Sequence, residues 1–187
     1  MEDLLKGQNN THKPFVVSFV STCSGVGKTT LIEKIICSLK GRGYRVGALK
    51  HDAHQFEIDK KGKDSYRFTH AGAEQVIIAS AEQLGLVRVL KEELEIETIL
   101  EMFVDVEFIL IEGFRQNRLP KIEVHRKEAD SGLLCNRSDY NLEAVIAVAS
   151  DEEVNVPMPV LNLNDAEKIV DFIEARARLL REGCEYG

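Results

Sequence analysis

Near the start of the chain, Ser24-Gly25-Val26-Gly27-Lys28-Thr29-Thr30 has the residue types and spacing needed to hold a phosphate. Glycines lack Cβ, so the backbone N–H groups around Gly25 and Gly27 can turn inward and wrap an anion. Lys28 adds a point charge for the terminal phosphates, and the Thr29 hydroxyl is a hard oxygen ligand suited to Mg²⁺. The full pattern G-x-x-x-x-G-K-[ST] asks for glycine at position 22, where this chain has Thr22. Gly25 is expected to supply that backbone freedom instead.

Such a loop works only between a strand and a helix, and both flank it here. Val16 to Val20 is rich in β-branched and aromatic residues and reads as a strand. Leu31, Ile32, Ile35, Ile36 and Leu39 recur at helical spacing, with Gly41-Arg42-Gly43 as the stop. The helix start adds its unsatisfied N–H groups and positive dipole end to the anion site. Tyr44 to Leu49 reads as a second strand, made parallel to the first by the helical crossover, and delivers Lys50-His51-Asp52. Val106 to Ile111 is almost continuously apolar, as in a strand covered on both faces, and ends at Glu112. Leu142 to Ala149 delivers Ser150-Asp151. Ligands of an open α/β sheet sit at the carboxyl ends of its strands, so these four ends should converge. Thr29 with Glu112 or Asp52 would then serve a phosphate-bound Mg²⁺, which needs few protein oxygens.

The remaining elements follow from periodicity. Ala53 to Lys63 is a polar loop, Asp64 to His70 a short helix, and Gln75 to Ser80 and Leu86 to Leu90 are strands. Glu95 to Phe103 reads as a helix with Ile96, Ile99, Leu100 and Phe103 on one face. Lys121-Ile122-Glu123-Val124-His125-Arg126 alternates strictly, which suits an edge strand or hairpin with one wet face, and Ile122 and Val124 are expected at a dimer surface. Pro159 to Leu163 is a last strand. The final helix should start at Asn164 as N-cap, with Glu167 three residues on, and run to about Gly183 with Ile169, Val170, Phe172, Ile173 and Leu180 inward.

With 187 residues and no linker or repeat, the chain reads as one α/β domain over 15–187 after a flexible segment 1–14, its sheet mostly parallel with helices on both faces. A net charge of −7 spread along the chain disfavours a nucleic-acid backbone binder. The four cysteines form no C-x-x-C pair, which suggests reduced cytosol. No apolar leader precedes Lys13 and no apolar run reaches the ~18 residues of a membrane span, so the expected location is cytoplasmic with no membrane contact. His51 and His54, with His70 or His125, are spaced for metal binding or for simple exposure in polar loops. The basic cluster from Arg115 to Arg137 is either a solvated loop or a contact for a second anionic ligand or partner.

The blocks Ser24 to Leu31, Lys50-His51-Asp52-Ala53-His54, Gly62-Lys63-Asp64-Ser65-Tyr66-Arg67, Ile111-Glu112-Gly113-Phe114, Pro120 to Val124 and Ala147-Val148-Ala149-Ser150-Asp151 together resemble the MobB family over residues 15 to 182. The resemblance implies a three-layer P-loop NTPase fold, GTP with Mg²⁺, weak GTPase activity and a homodimer. It implies an adaptor role beside the guanylyltransferase that joins GMP to molybdopterin, and leaves direct contact with molybdopterin open. The [NT]-K-x-D guanine motif is absent, and Asp151 is the candidate reader of the guanine N1 and N2 donors. No water-orienting group or arginine finger stands out, so turnover by the chain alone should take minutes or longer, on the order of unassisted GTPases. Two other classes use the same loop: a small-molecule kinase with Asp52 or Asp64 activating an acceptor hydroxyl, and a metallochaperone GTPase using His51 and His54.

Overall fold

In a computed structural model, which describes residues 13–51, 61–129 and 132–184, the apolar run before the glycine loop lies in the middle of a parallel sheet. The chain divides into two compact units, Met1–His51 with Phe103–Gly187, and Asp52–Met102. Asp52, Ala53 and His54, like most of the expected N-terminal segment, lie outside the described residues.

The first unit is built on β1 (Phe15–Val20), β2 (Val46–Lys50), β5 (Phe108–Glu112), β6 (Lys121–His125), β7 (Val145–Ser150) and β8 (Val160–Asn162), in the order β2-β5-β1-β6-β7-β8. Every pairing is parallel. The order runs away from β1 in both directions, so the switch point that opens a ligand crevice falls at the end of β1, where the glycine loop begins.

Helices α1 (Lys28–Gly41) and α4 (Ala166–Cys184) cover one face. Phe15, Val17 and Phe19 of β1, Phe108 and Leu110 of β5, Ile122 and Val124 of β6, and Ala147 and Ala149 of β7 share one apolar core with Leu31, Ile35 and Leu39 of α1 and Ile169, Val170 and Ile173 of α4. Arg42, just past α1, clamps the two helices together through Glu167 (2.6 Å), Asp171 (2.7 Å) and Glu174 (2.6 Å). The α4 cap is Asp165, not Asn164: its Oδ1 accepts the Lys168 N–H at 3.2 Å. Leu180 is 56% exposed, because the apolar stripe leaves the core with Ala177, so its expected inward position is corrected.

Strand β6 overturns the expected edge strand. It lies between β1 and β7, and all five of its residues are buried. Ile122 and Val124 face the helices, so they form no dimer surface. The polar half of the alternation, Lys121, Glu123 and His125, is buried on the other face beneath loop backbone rather than helix. Lys121 Nζ donates to the carbonyls of Asn117 and Leu119. Glu123 accepts N–H groups from Leu134 and Cys135. His125 Nε2 lies 2.9 Å from Glu152. Period 2 reported two faces of different polarity, and the polar one meets peptide groups and, at His125, a carboxylate.

The second unit carries α2 (Asp64–His70), an antiparallel hairpin of β3 (Gln75–Ala79) and β4 (Leu84–Arg88), and α3 (Ile96–Leu100). α3 is shorter than its periodicity predicts, turning at Glu101 and Met102, while Phe103 belongs to the first unit. No helix among the described residues is long and apolar enough to cross a membrane.

Candidate functional site

The loop after β1 takes its left-handed turns at Gly25 (φ +82°) and Gly27 (φ +91°). Thr22 has no positive φ, so the missing first glycine is not needed; its hydroxyl donates to the Gly132 carbonyl at 3.3 Å. Val26 is buried, and Ser24, Gly25, Thr29 and Thr30 are exposed.

Helix α1 starts directly from Gly27 with no side-chain cap and no acidic residue in its first turn. A helix start carries four unsatisfied N–H groups and about half a positive charge, which a serine or aspartate cap would normally occupy. Here that end, at Lys28, Thr29 and Thr30, is left for an anion. Lys28 Nζ bridges Ser21 Oγ (2.8 Å) and the Cys23 carbonyl (3.3 Å), folding its charge back over the loop. Burial holds the Lys28 ammonium below the ordinary lysine value; nearby Arg115 and Lys50 push the same way, and Glu112 opposes them. A site that destabilises its own cation is relieved by binding an anion.

Phe19 of β1 pairs with Glu112 of β5, and Glu112 with Lys50 of β2. That register sets Glu112 beside the first turn of α1, where the Thr29 hydroxyl donates to Oε2 at 2.7 Å. A hydroxyl and a carboxylate in contact at the edge of a phosphate loop fit the hard-oxygen chemistry of Mg²⁺. Past Glu112 the chain turns through Gly113 (φ +101°) and Phe114 (φ +53°), and Phe114 packs on the His51 ring at 4.0 Å between centroids. A Cβ on Gly113 would lie 3.0 Å from the His51 carbonyl, so this close approach requires glycine.

At the far side, Ser150 pairs with His125, which makes Asp151 and Arg126 neighbours. Asp151 accepts from the Lys127 N–H (2.9 Å) and from Arg126 Nη1 (3.3 Å). Arg126 Nε also donates to the Val26 carbonyl inside the glycine loop, at 3.2 Å. Sequence reasoning included Arg126 only as one member of the basic cluster Arg115 to Arg137; its place at the glycine loop was obscured by reading its strand as an edge.

The structure thus gathers Ser24, Gly25, Val26, Gly27, Lys28, Thr29, Thr30, Glu112 and Asp151 around the ends of β1, β5 and β7. The described histidines each have another partner: in the first unit the His51 ring packs tilted on Phe114 and His125 is bound to Glu152, and in the second unit His70 stacks on Tyr66. Among the described residues no group of three or more His, Cys, Asp or Glu could hold a metal ion.

Strand order, glycine loop, uncapped helix and strand-end carboxylate define a P-loop nucleotide-binding α/β protein. The family model described as molybdopterin guanine dinucleotide synthesis protein B, MobB, matches residues 16–151, and the chain belongs to that family. It is 39% identical over 157 residues to the molybdopterin-guanine dinucleotide biosynthesis adapter protein of Escherichia coli, spanning 80% of this chain and 86% of that one. The protein of the same description from Haemophilus influenzae is 37% identical over 153 residues, 81% and 83% of the two chains. A crystal structure of molybdopterin-guanine biosynthesis protein B superposes with a TM-score of 0.67 at 29% identity, covering 86% of this chain and 98% of that one.

The Lys28 environment predicts a pH dependence. Phosphate binds the charged lysine, so the ratio of wild-type to Lys28→Arg affinity for inorganic tripolyphosphate, in which the ligand's own ionisation cancels, should be flat near neutral pH. It should fall as pH rises through a Lys28 value that lies below 10.5. Calorimetric titrations from neutral pH upward check this. A ratio of wild-type to Lys28→Arg affinity that holds constant up to pH 10.5 contradicts the assignment.

Proposed function

We propose that this protein is a GTP-holding adapter that assists the guanylyltransferase forming molybdopterin-guanine dinucleotide. The observation that carries the reading is the Thr29 to Glu112 contact of 2.7 Å beside a helix start left without a cap. Backbone N–H groups of the loop and Lys28 bind the phosphates, and Thr29 with Glu112 would hold Mg²⁺. When bound, that ion neutralises phosphate charge and fixes the phosphates' orientation. A carboxylate has about four acceptor positions, so Asp151 can hold Lys127 and Arg126 and still accept from a guanine edge. Asp151→Asn is expected to relax the preference for GTP over xanthosine triphosphate.

The adapter reading, as against a kinase, is favoured by what surrounds the phosphates. Asp64, one of the two candidate acceptor-activating bases, is exposed and paired with Arg67 at 3.4 Å; the other, Asp52, lies outside the described residues. Hydrolysis by the isolated protein is proposed to be slow, in line with the unassisted P-loop GTPases. Cofactor formation by the purified guanylyltransferase should rise when the wild-type protein is added with GTP, and should not rise with Lys28→Ala. Equal stimulation by both proteins, or a phosphorylated small-molecule product, would overturn the proposal.

The homodimer is proposed to form on the second unit. Its hairpin exposes Ile77 (57%), Ile78 (53%), Leu84 (72%) and Leu86 (44%), and an isolated two-stranded hairpin is marginal in water. A second copy of the same hairpin covers Ile77, Leu84 and Leu86, which share one face, and pairs a free edge. Sedimentation at micromolar concentration should give a dimer for the wild type and a monomer for Ile77→Lys with Leu86→Lys. A wild-type monomer contradicts this surface.

A further inference from the structure

Arg126 is the one cation that touches both the glycine loop and the strand-end carboxylate Asp151 among the described residues, and the nucleotide site as derived above makes no use of it. It follows His125 at the end of β6, on the side of β1 away from Glu112. Nε donates to the Val26 carbonyl at 3.2 Å and Nη1 to Asp151 Oδ2 at 3.3 Å. Nη2 lies over Gly27, 3.4 Å from where a Cβ on that residue would stand. Gly27 is the residue from which α1 starts.

A guanidinium has five N–H donors in a rigid planar fork. Two are used here, and the Nη2 pair has no hydrogen-bond partner among the described residues. The side chain is 35% exposed, whereas Asp151 is 11% exposed. The carboxylate therefore acts as the buried anchor and the guanidinium as the accessible end. The anchoring bonds also fix the side chain's orientation in advance, which removes much of the ordering cost an arginine otherwise incurs on binding.

We propose that Arg126 is a nucleotide-binding residue: held by Asp151 and Val26, its guanidinium donates to a phosphate oxygen of the nucleoside triphosphate seated over Gly27. This rests on the phosphate-loop reading and extends it to a second cation, placed opposite Glu112 across β1. Because Asp151 anchors Arg126 and is also proposed to read the base, the phosphate and base ends of the ligand share one hydrogen-bonded unit. A purely structural staple would act on anion affinity only through the Val26 contact, and its Nη2 hydrogens would gain no phosphate partner.

Inorganic tripolyphosphate is the deciding probe, since it has phosphates and no base. Arg126→Gln should lose about tenfold to a hundredfold in tripolyphosphate affinity by calorimetry, the loss expected for a hydrogen bond between charged groups. Arg126→Lys should recover part of it. Unchanged tripolyphosphate affinity in a folded Arg126→Gln protein overturns the proposal. Lys28→Ala separates the two levels of the account: if it binds tripolyphosphate as wild type does, the phosphate-loop reading itself fails. If Lys28→Ala loses binding and Arg126→Gln does not, only the Arg126 assignment fails. Whether or not Arg126→Gln folds, the Arg126 Nη2–H resonance of the wild-type protein decides between a phosphate contact and a staple, since Nε–H is already hydrogen-bonded to Val26. It should shift on adding tripolyphosphate, and a resonance that stays in place at saturation overturns the assignment.

Discussion

Helix α1 begins without a cap, and the site is organised by that fact. Its first N–H groups face a loop of glycines instead of a serine or aspartate side chain, and its first turn holds Lys28 and Thr29 with no acid. A helix start in this state is satisfied by water or by an anion. Burial in addition holds the Lys28 charge in a poorly solvated setting. Both features are costs in the free protein that a bound phosphate relieves.

What lies around that helix start is decided by where β1 sits. Because β5 flanks it on one side and β6 on the other, residues far apart in sequence arrive at one edge: Glu112 through its register with Phe19, Arg126 and Asp151 through the ends of β6 and β7. The parallel sheet needs no particular chemistry to do this, only strands buried on both faces. On one face the burial is apolar, against α1 and α4. On the other, beneath β6, it is a file of ionisable groups, Lys121 and Glu123 hydrogen-bonded to loop peptides and His125 to the Glu152 carboxylate. Glu123 between the Leu134 and Cys135 N–H groups fixes the 132–136 loop in place, and burial together with Glu123 pushes the Cys135 thiol up to about 12, so that cysteine stays protonated.

Much of this was legible in the sequence because it depends on short-range chemistry. The strand, glycine loop and helix over Phe15 to Gly41 follow from residue type and periodicity, as do the strands leading to Glu112 and Asp151. Errors arose where one local pattern has two tertiary explanations. The alternation at Lys121 to His125 is the same whether its polar side meets solvent or loop backbone, and only the sheet order distinguishes them. Arg126 falls in the basic cluster Arg115 to Arg137, but its contact with the glycine loop was hidden for the same reason, since a cation after an edge strand has no reason to meet that loop. Asn164 and Asp165 are both good caps, and which one caps α4 depends on the turn after β8.

The central claim is that Thr29 and Glu112 form the metal side of a Mg²⁺ nucleotide site. GTP affinity measured by calorimetry, with Mg²⁺ and with the ion chelated, tests it most directly in wild-type and Glu112→Gln proteins. The account predicts that chelation weakens GTP binding by the wild type, and that Glu112→Gln binds GTP with little dependence on Mg²⁺. A Glu112→Gln protein with the full Mg²⁺ dependence of the wild type would contradict it.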